Sequence, residues 1–172
     1  MNTLQKSFFE RIDSLGTGDR AALRRETGRS IRQADGKAIA AFYKCFPPGV
    51  GDWQEERWFA VACIRCLWST DVSEEEAFEK LIAELVRSEE LSASTKHRVE
   101  LLLDTKWDTD GYMLVKLSRL IKLVRQKTDR KKIDSAQLLD DLLGWNNASQ
   151  YVQRKWAKTI FLNNTGTEKK ER

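Results

Sequence analysis

A chain of 172 residues that is 41% hydrophobic, with six Trp and seven Phe, can close one packed core or two small ones without covalent staples. Three cysteines, an odd number, and no secretory pattern in residues 1–9 exclude a disulfide-built secreted scaffold and point to the cytoplasm; the longest apolar run, residues 58–64, falls far short of the roughly 20 residues that cross a bilayer. The net charge of +4 hides an uneven distribution: residues 1–50 carry 9 basic and 5 acidic groups, residues 51–110 carry 7 and 15, and residues 111–172 carry 14 and 6. Basic ends around an acidic middle suit a protein whose two ends converge on one polyanion while the middle faces solvent or basic subunits.

Apolar residues recur at three- and four-residue spacing in nearly every segment, which predicts an all-α fold, a helical bundle of about eight helices in two small lobes. The first helix is expected over residues 3–14, with Leu4, Phe8, Ile12 and Leu15 inward, and Gly16-Thr17-Gly18 ends it. Asp19 is placed to cap a short second helix by accepting first-turn amides, and Gly28 to close it. That helix carries Arg20, Arg24 and Arg25, with Arg29 and Arg32 just beyond. Paired planar guanidiniums near a helix start match the geometry of phosphate. A third helix over residues 37–46 bears Tyr43, the aromatic residue best placed for a ligand, and Lys44. After the turn Pro47-Pro48-Gly49-Val50-Gly51, residues 54–68 form an almost wholly apolar helix, the expected axis of the N-terminal half.

Ser73 and Glu76 have the spacing of a capping box before the stripe Phe78, Leu81, Ile82, Leu85 and Val86. The polar link at residues 88–94 is the expected boundary between an N-terminal lobe, residues 1–90, and a C-terminal lobe, residues 91–162. Further helices are expected over residues 95–104, 112–127, 135–143 and 148–162, and residues 163–172 form a polar tail without apolar anchors, expected to be disordered. In the long helix, Met113, Leu114, Leu117, Leu120, Ile121 and Val124 share one face, while Lys116, Arg119, Lys122 and Gln126 point away. No acidic residue between Tyr112 and Thr128 can pair with these cations, and Arg125, Lys127, Arg130, Lys131 and Lys132 extend the charge. The face reads as a phosphate track; the alternative is a solubilising surface.

Catalytic patterns are scarce. The one histidine, His97, has no Ser or Cys nearby in sequence to activate. Cys63-Ile64-Arg65-Cys66 has the spacing of a metal pair, yet it lies in the apolar run and no second close pair exists. Asp140 and Asp141 are adjacent and diverge by about 100° on a helix, and Glu74, Glu75 and Glu76 suit a helix start. Trp58, Trp68, Trp107, Trp145 and Trp156 could stack on bases, though their helical spacing suits a core. No catalytic residue, metal or cofactor is expected.

Four segments in order carry a resemblance: Gly18-Asp19-Arg20-Ala21-Ala22-Leu23-Arg24-Arg25; Ala41-Phe42-Tyr43-Lys44; Ile133-Asp134-Ser135-Ala136-Gln137-Leu138-Leu139-Asp140-Asp141-Leu142-Leu143-Gly144-Trp145; and Val152-Gln153-Arg154-Lys155-Trp156-Ala157. Each is short, and their ordered combination over residues 8–162 resembles the CasB family, the small subunit of the type I-E CRISPR effector complex, Cascade. The resemblance implies a non-catalytic helical subunit, present as a pair, that bridges other Cascade subunits. It also implies a hold on target DNA opened by guide RNA, chiefly the displaced strand. Arg25 and Arg119 are the binding positions carried over from the family; Arg24, Lys116 and Lys122 follow from helix projection, and Arg20, Arg29, Lys44 and Arg125 complete the expected set. Where some relatives carry Lys and Arg after the equivalent of Trp145, this chain has Asn146-Asn147-Ala148, leaving Arg154 and Lys155 as substitutes. The expected partners are other Cascade subunits, a second copy of the chain, guide RNA and target DNA, with no membrane. Holding a strand of any sequence calls for phosphate contacts without a base code, because guide pairing reads the sequence. The competing expectation is a protein-binding adaptor whose basic faces meet acidic subunits without touching nucleic acid.

Overall fold

The computed structural model describes residues 2–88 and 92–162. In chain order they form α1 (Thr3–Ser14), α2 (Thr17–Arg25), α3 (Gly36–Cys45), α4 (Glu55–Arg65), β1 (Glu74–Glu76), α5 (Phe78–Arg87), α6 (Ser92–Leu103), α7 (Tyr112–Lys127), β2 (Lys131–Ile133), α8 (Ser135–Leu143) and α9 (Tyr151–Phe161). Short 3-10 turns lie at Ile31–Gln33 and Asp52–Gln54. The fold is all-α, as the periodicity requires, with one parallel pair of three-residue strands. The expected lobe boundary between residues 90 and 91 and the tail at 163–172 lie outside the described residues. Among the described residues, no helix is long and apolar enough to cross a membrane.

α4 is the axis. Residues Arg57 to Ile64 are buried without interruption, so the helix is covered on every side, by α2, α7 and α8 among others. α5 packs on α6, α7 and α9, while α1 and α2 close over α3. One apolar cluster runs from Phe8 to Ile160. At its N-terminal end Phe8 meets Phe42 and Trp58 edge-on; at the other end Trp156 packs between Phe78 and Trp145.

Three local expectations are corrected. Leu4 is 48% exposed, and the inward face of α1 is Gln5, Phe8, Phe9 and Ile12. Gln5 is drawn in because it completes a capping box with Asn2 and donates from Nε2 to Asp140 Oδ1 at 2.5 Å. Asp19 is not the cap of α2. The helix begins earlier, after Gly16, so Asp19 sits in its first turn and pairs with Lys44 Nζ at 3.0 Å. Ser73 and Glu76 form no capping box either. Glu74, Glu75 and Glu76 are strand β1, in register with Lys131, Lys132 and Ile133, and α5 starts only after Ala77. Glu75 Oε1 lies 3.6 Å from Lys132 Nζ and 3.3 Å from Arg65 Nη1, so opposite charges from distant segments neutralise each other. Lys132 therefore does not extend the basic face of α7.

A buried polar network joins α5, α8 and α9. Trp156 Nε1 donates to Asp141 Oδ2 at 2.8 Å, Lys155 pairs with Asp141 Oδ1, and Gln137 Nε2 donates to Glu79 Oε1 at 3.2 Å. Glu79 Oε2 is buried without a hydrogen-bond partner, and burial pushes the Glu79 carboxyl above its ordinary value, with the backbone hydrogen bond and Lys155 opposing. The folded state thus holds this proton more tightly than the unfolded chain. Stability falls as pH rises from the unfolded value of 4.5 through the raised folded one. Glu79→Gln removes that penalty. Thermal melts are expected to show a higher melting temperature than the parent at neutral pH, with the difference vanishing below the unfolded pKa.

Candidate nucleic-acid interface

Two basic helices from distant parts of the chain, α2 and α7, both pack on α4 and are brought near each other by loop contacts. The turn after α2 reaches the left-handed region at Gly28, φ +90°, where a Cβ would stand 2.6 Å from Ser118 Oγ and 2.9 Å from Ser118 Cβ. Glycine is needed there for its conformation and for the close seat of that backbone on the middle of α7. At the other end of α2, Arg20 Nη2 donates to Trp68 O at 3.0 Å and Nη1 to Ile12 O at 3.1 Å. Arg125, on the last turns of α7, donates from Nε to Leu67 O at 2.9 Å, its guanidinium 6.0 Å from the Trp68 ring centroid. Two arginines therefore hold consecutive carbonyls of the turn that leaves α4. Arg20, Arg24 and Arg125 line one cleft of about 430 Å³ over that turn. With Gly28 opposite Ser118 and Arg20 beside Arg125, α2 and α7 pass each other in opposite senses.

That pairing sorts the expected site residues by what each cation already touches. Arg24 and Arg25 on α2, and Arg119 and Lys122 on α7, are exposed, and their side chains have no hydrogen-bond or ion-pair partner among the described residues. The others are engaged. Arg20 is 14% exposed, lies 3.5 Å from Asp13 and is held by carbonyls. Arg29 pairs with Glu26 at 3.1 Å and donates to Gln33 O at 3.1 Å. Lys44 faces Asp19 and lines a separate cleft beside α1. Lys116 donates to Thr105 Oγ1 at 2.7 Å, and Arg125 is fixed as described. The apolar face of α7 matches its projection, since Met113, Leu114, Leu117, Leu120, Ile121 and Val124 are all buried. Lengthwise register against α2 is what the projection lacked, and Gly28, with Ser118 at a mid-helix position, supplies it.

The remaining candidates find structural roles. Asn146 bonds Trp107 twice, accepting from its N–H at 2.9 Å and donating to its carbonyl at 2.7 Å, which ties the loop before α7 to the end of α8. Of the two suggested substitutes, Lys155 is held by Asp141 and Arg154 is exposed. The Tyr43 hydroxyl donates to Glu55, and that bond first, then burial, push its pKa up to about 12. Trp58, Trp68, Trp107, Trp145 and Trp156 are all buried; the exposed tryptophan is Trp53, in a turn where no periodicity marks it. All three thiols are free, and burial pushes Cys63 well up and Cys66 to about 11, so both pack as small apolar groups. Among the described residues, no group of three or more His, Cys, Asp or Glu side chains comes together to hold a metal ion.

A family model for CRISPR-associated protein Cse2 matches residues 19–161. The chain belongs to the Cse2 family. A CRISPR-associated protein Cse2 of Thermus thermophilus is 27% identical over 151 residues, 78% of this chain and 85% of its own length. The crystal structure of CasB from M. ruber has the same fold at a TM-score of 0.74 and 20% identity, with 98% of each chain covered. A chain of a CRISPR RNA-guided surveillance complex matches at 0.73 and 24% identity, covering 96% of this chain and 97% of that one. The matched span of this Cse2 family member starts inside α2, takes in Arg24 and Arg25, and ends with the last residue of α9.

Proposed function

We propose that this chain is the non-catalytic small subunit of an RNA-guided CRISPR surveillance complex of the Cascade type. It bridges other subunits and stabilises the paired guide RNA and target DNA, chiefly by holding the displaced DNA strand along the strip formed by α2 and α7. The observation that carries this reading is the set of four exposed cations, without side-chain partners, on two helices that both pack on α4 and meet through Gly28 and the turn leaving α4. Exposed, uncompensated guanidinium and ammonium groups fit a phosphate backbone, whose contacts carry no sequence information. α2 comes from the proposed N-terminal lobe, residues 1–90, and α7 from the proposed C-terminal lobe, residues 91–162, so the strip joins the two. Family membership, and the likeness to a chain of a surveillance complex, support the assignment to such an assembly. The partners are then a second copy of the chain, the larger subunits, guide RNA and target DNA. A tagged chain purified from its host is expected to bring a small guide RNA and several larger proteins with it. Recovery of an isolated monomer without RNA overturns the proposal.

A further inference from the structure

A second surface has the opposite character. Where α3, the Asp52–Gln54 turn and the start of α4 meet the loop before α7, they enclose a cleft of about 550 Å³. Trp53 on its edge is 64% exposed and Tyr43 is 48% exposed, with Trp107 in the wall. Asp52, Glu55 and Asp108 also line it. Two cations share the lining: Arg32 is exposed, and Arg57 is turned inward. Its Nε donates to Leu142 O at 2.9 Å, its Nη1 to Trp53 O at 3.2 Å, and its face lies 4.9 Å from the Trp107 ring centroid. Asp52, Glu55, Glu56 and Asp108 thus outnumber Arg32 and Arg57 in the lining, and this net negative charge disfavours phosphate.

The Trp53 ring has the Arg57 guanidinium 6.0 Å from its centroid yet keeps most of its surface exposed, and an exposed indole beside carboxylates is the environment an arginine or lysine side chain of another protein meets well, through cation-π attraction and an ion pair together. Exposed Trp and Tyr are also the residue types that dominate binding energy at protein interfaces. We infer that this cleft docks a basic segment of a partner protein, its cationic side chain lying on Trp53 with its charge toward Asp52 and Asp108. The surface works independently of the α2 and α7 strip, so the chain has one face for phosphate and another for protein. The inference stands whether or not the strip binds DNA.

The test titrates the ¹⁵N-labelled full-length chain with a peptide of alternating Arg and Gly, and with its Glu and Gly counterpart. Ionic strength is held at about 0.15 M so that unspecific attraction is screened. The Trp53 indole resonance, assigned from the Trp53→Phe spectrum, is expected to shift saturably with the Arg peptide and not with the Glu peptide. Trp53→Ala, and separately Asp52→Asn with Asp108→Asn, should weaken binding by about tenfold, followed at the Trp107 indole. Arg25→Ala with Lys122→Ala should leave it unchanged. Peptide binding indifferent to Trp53→Ala and to the Asp52 and Asp108 pair overturns the inference. So does a Trp53 shift produced by single-stranded DNA instead of the peptide, or by self-association of the chain without peptide binding.

Discussion

Replacing Arg24, Arg25, Arg119 and Lys122 together with alanine is expected to lower affinity for single-stranded DNA by about two to three orders of magnitude near 0.1 M salt. The melting temperature should stay within about 2 °C of the parent, because exposed cations without partners contribute little to stability. Each phosphate contact on a single strand releases about 0.7 of a counterion, so four contacts carry close to 3 in the slope of log affinity against log salt. The quadruple variant should lose that much slope, read by fluorescence anisotropy across a salt titration. Arg25→Ala alone should remove about a quarter of it. Parallel salt lines for parent and quadruple variant would exclude the strip as the contact. If, in addition, neither protein binds free DNA while assembly with protein subunits is salt-sensitive, the adaptor reading takes its place.

Arg20→Ala and Arg125→Ala behave differently in the same assay. Both guanidiniums hold carbonyls of the turn leaving α4, so their loss frees α2 and α7 from a shared anchor and lowers stability along with affinity. Sequence could not make this distinction. Arg20 and Arg25 sit in one helix a turn and a half apart and look alike in composition; only the position of Trp68 O and Ile12 O tells which one is occupied. What was legible follows from local physics. The apolar face of α7 was readable because its amphipathic period persists for sixteen residues, and α4 because a run of apolar residues can only be a core helix. The strand pair was not, because three glutamates have no strand propensity of their own and gain it only from three residues more than fifty positions later. A local rule, the capping box, therefore gave the wrong structure for Ser73 and Glu76. The acidic character of the middle third was legible, but not the gathering of Asp52, Glu55 and Asp108 around an exposed Trp53, since that requires the loop before α7 to fold back onto α4.

Arg65→Ala is expected to be the most damaging single substitution among the arginines, by about 1.5–3 kcal/mol, the usual cost of losing hydrogen bonds to charged groups at a half-buried site. For a chain of this length, that lowers the melting temperature by about 3–12 °C. Arg65 Nε and Nη2 grip both carboxylate oxygens of Asp13 at 2.7 and 2.6 Å, Nη1 reaches Glu75 at 3.3 Å and Ser135 Oγ at 3.1 Å, and the guanidinium lies 5.1 Å from the Phe9 ring centroid. With 9% of its side chain exposed, one residue of α4 thus ties α1, β1 and α8 together. Arg65→Lys keeps the charge but has no planar fork, so it can satisfy Asp13 or Glu75 but not both, and should recover only part of the loss. A double-mutant cycle with Asp13→Ala should return a coupling well above the roughly 0.2–1 kcal/mol of an exposed pair. A coupling inside that range would mean that the hub is solvent-screened and that the apolar cluster alone joins these elements. The same melts on Arg25→Ala should show no comparable change. Two arginines that composition cannot separate would then divide cleanly, one acting on the fold and the other on the ligand.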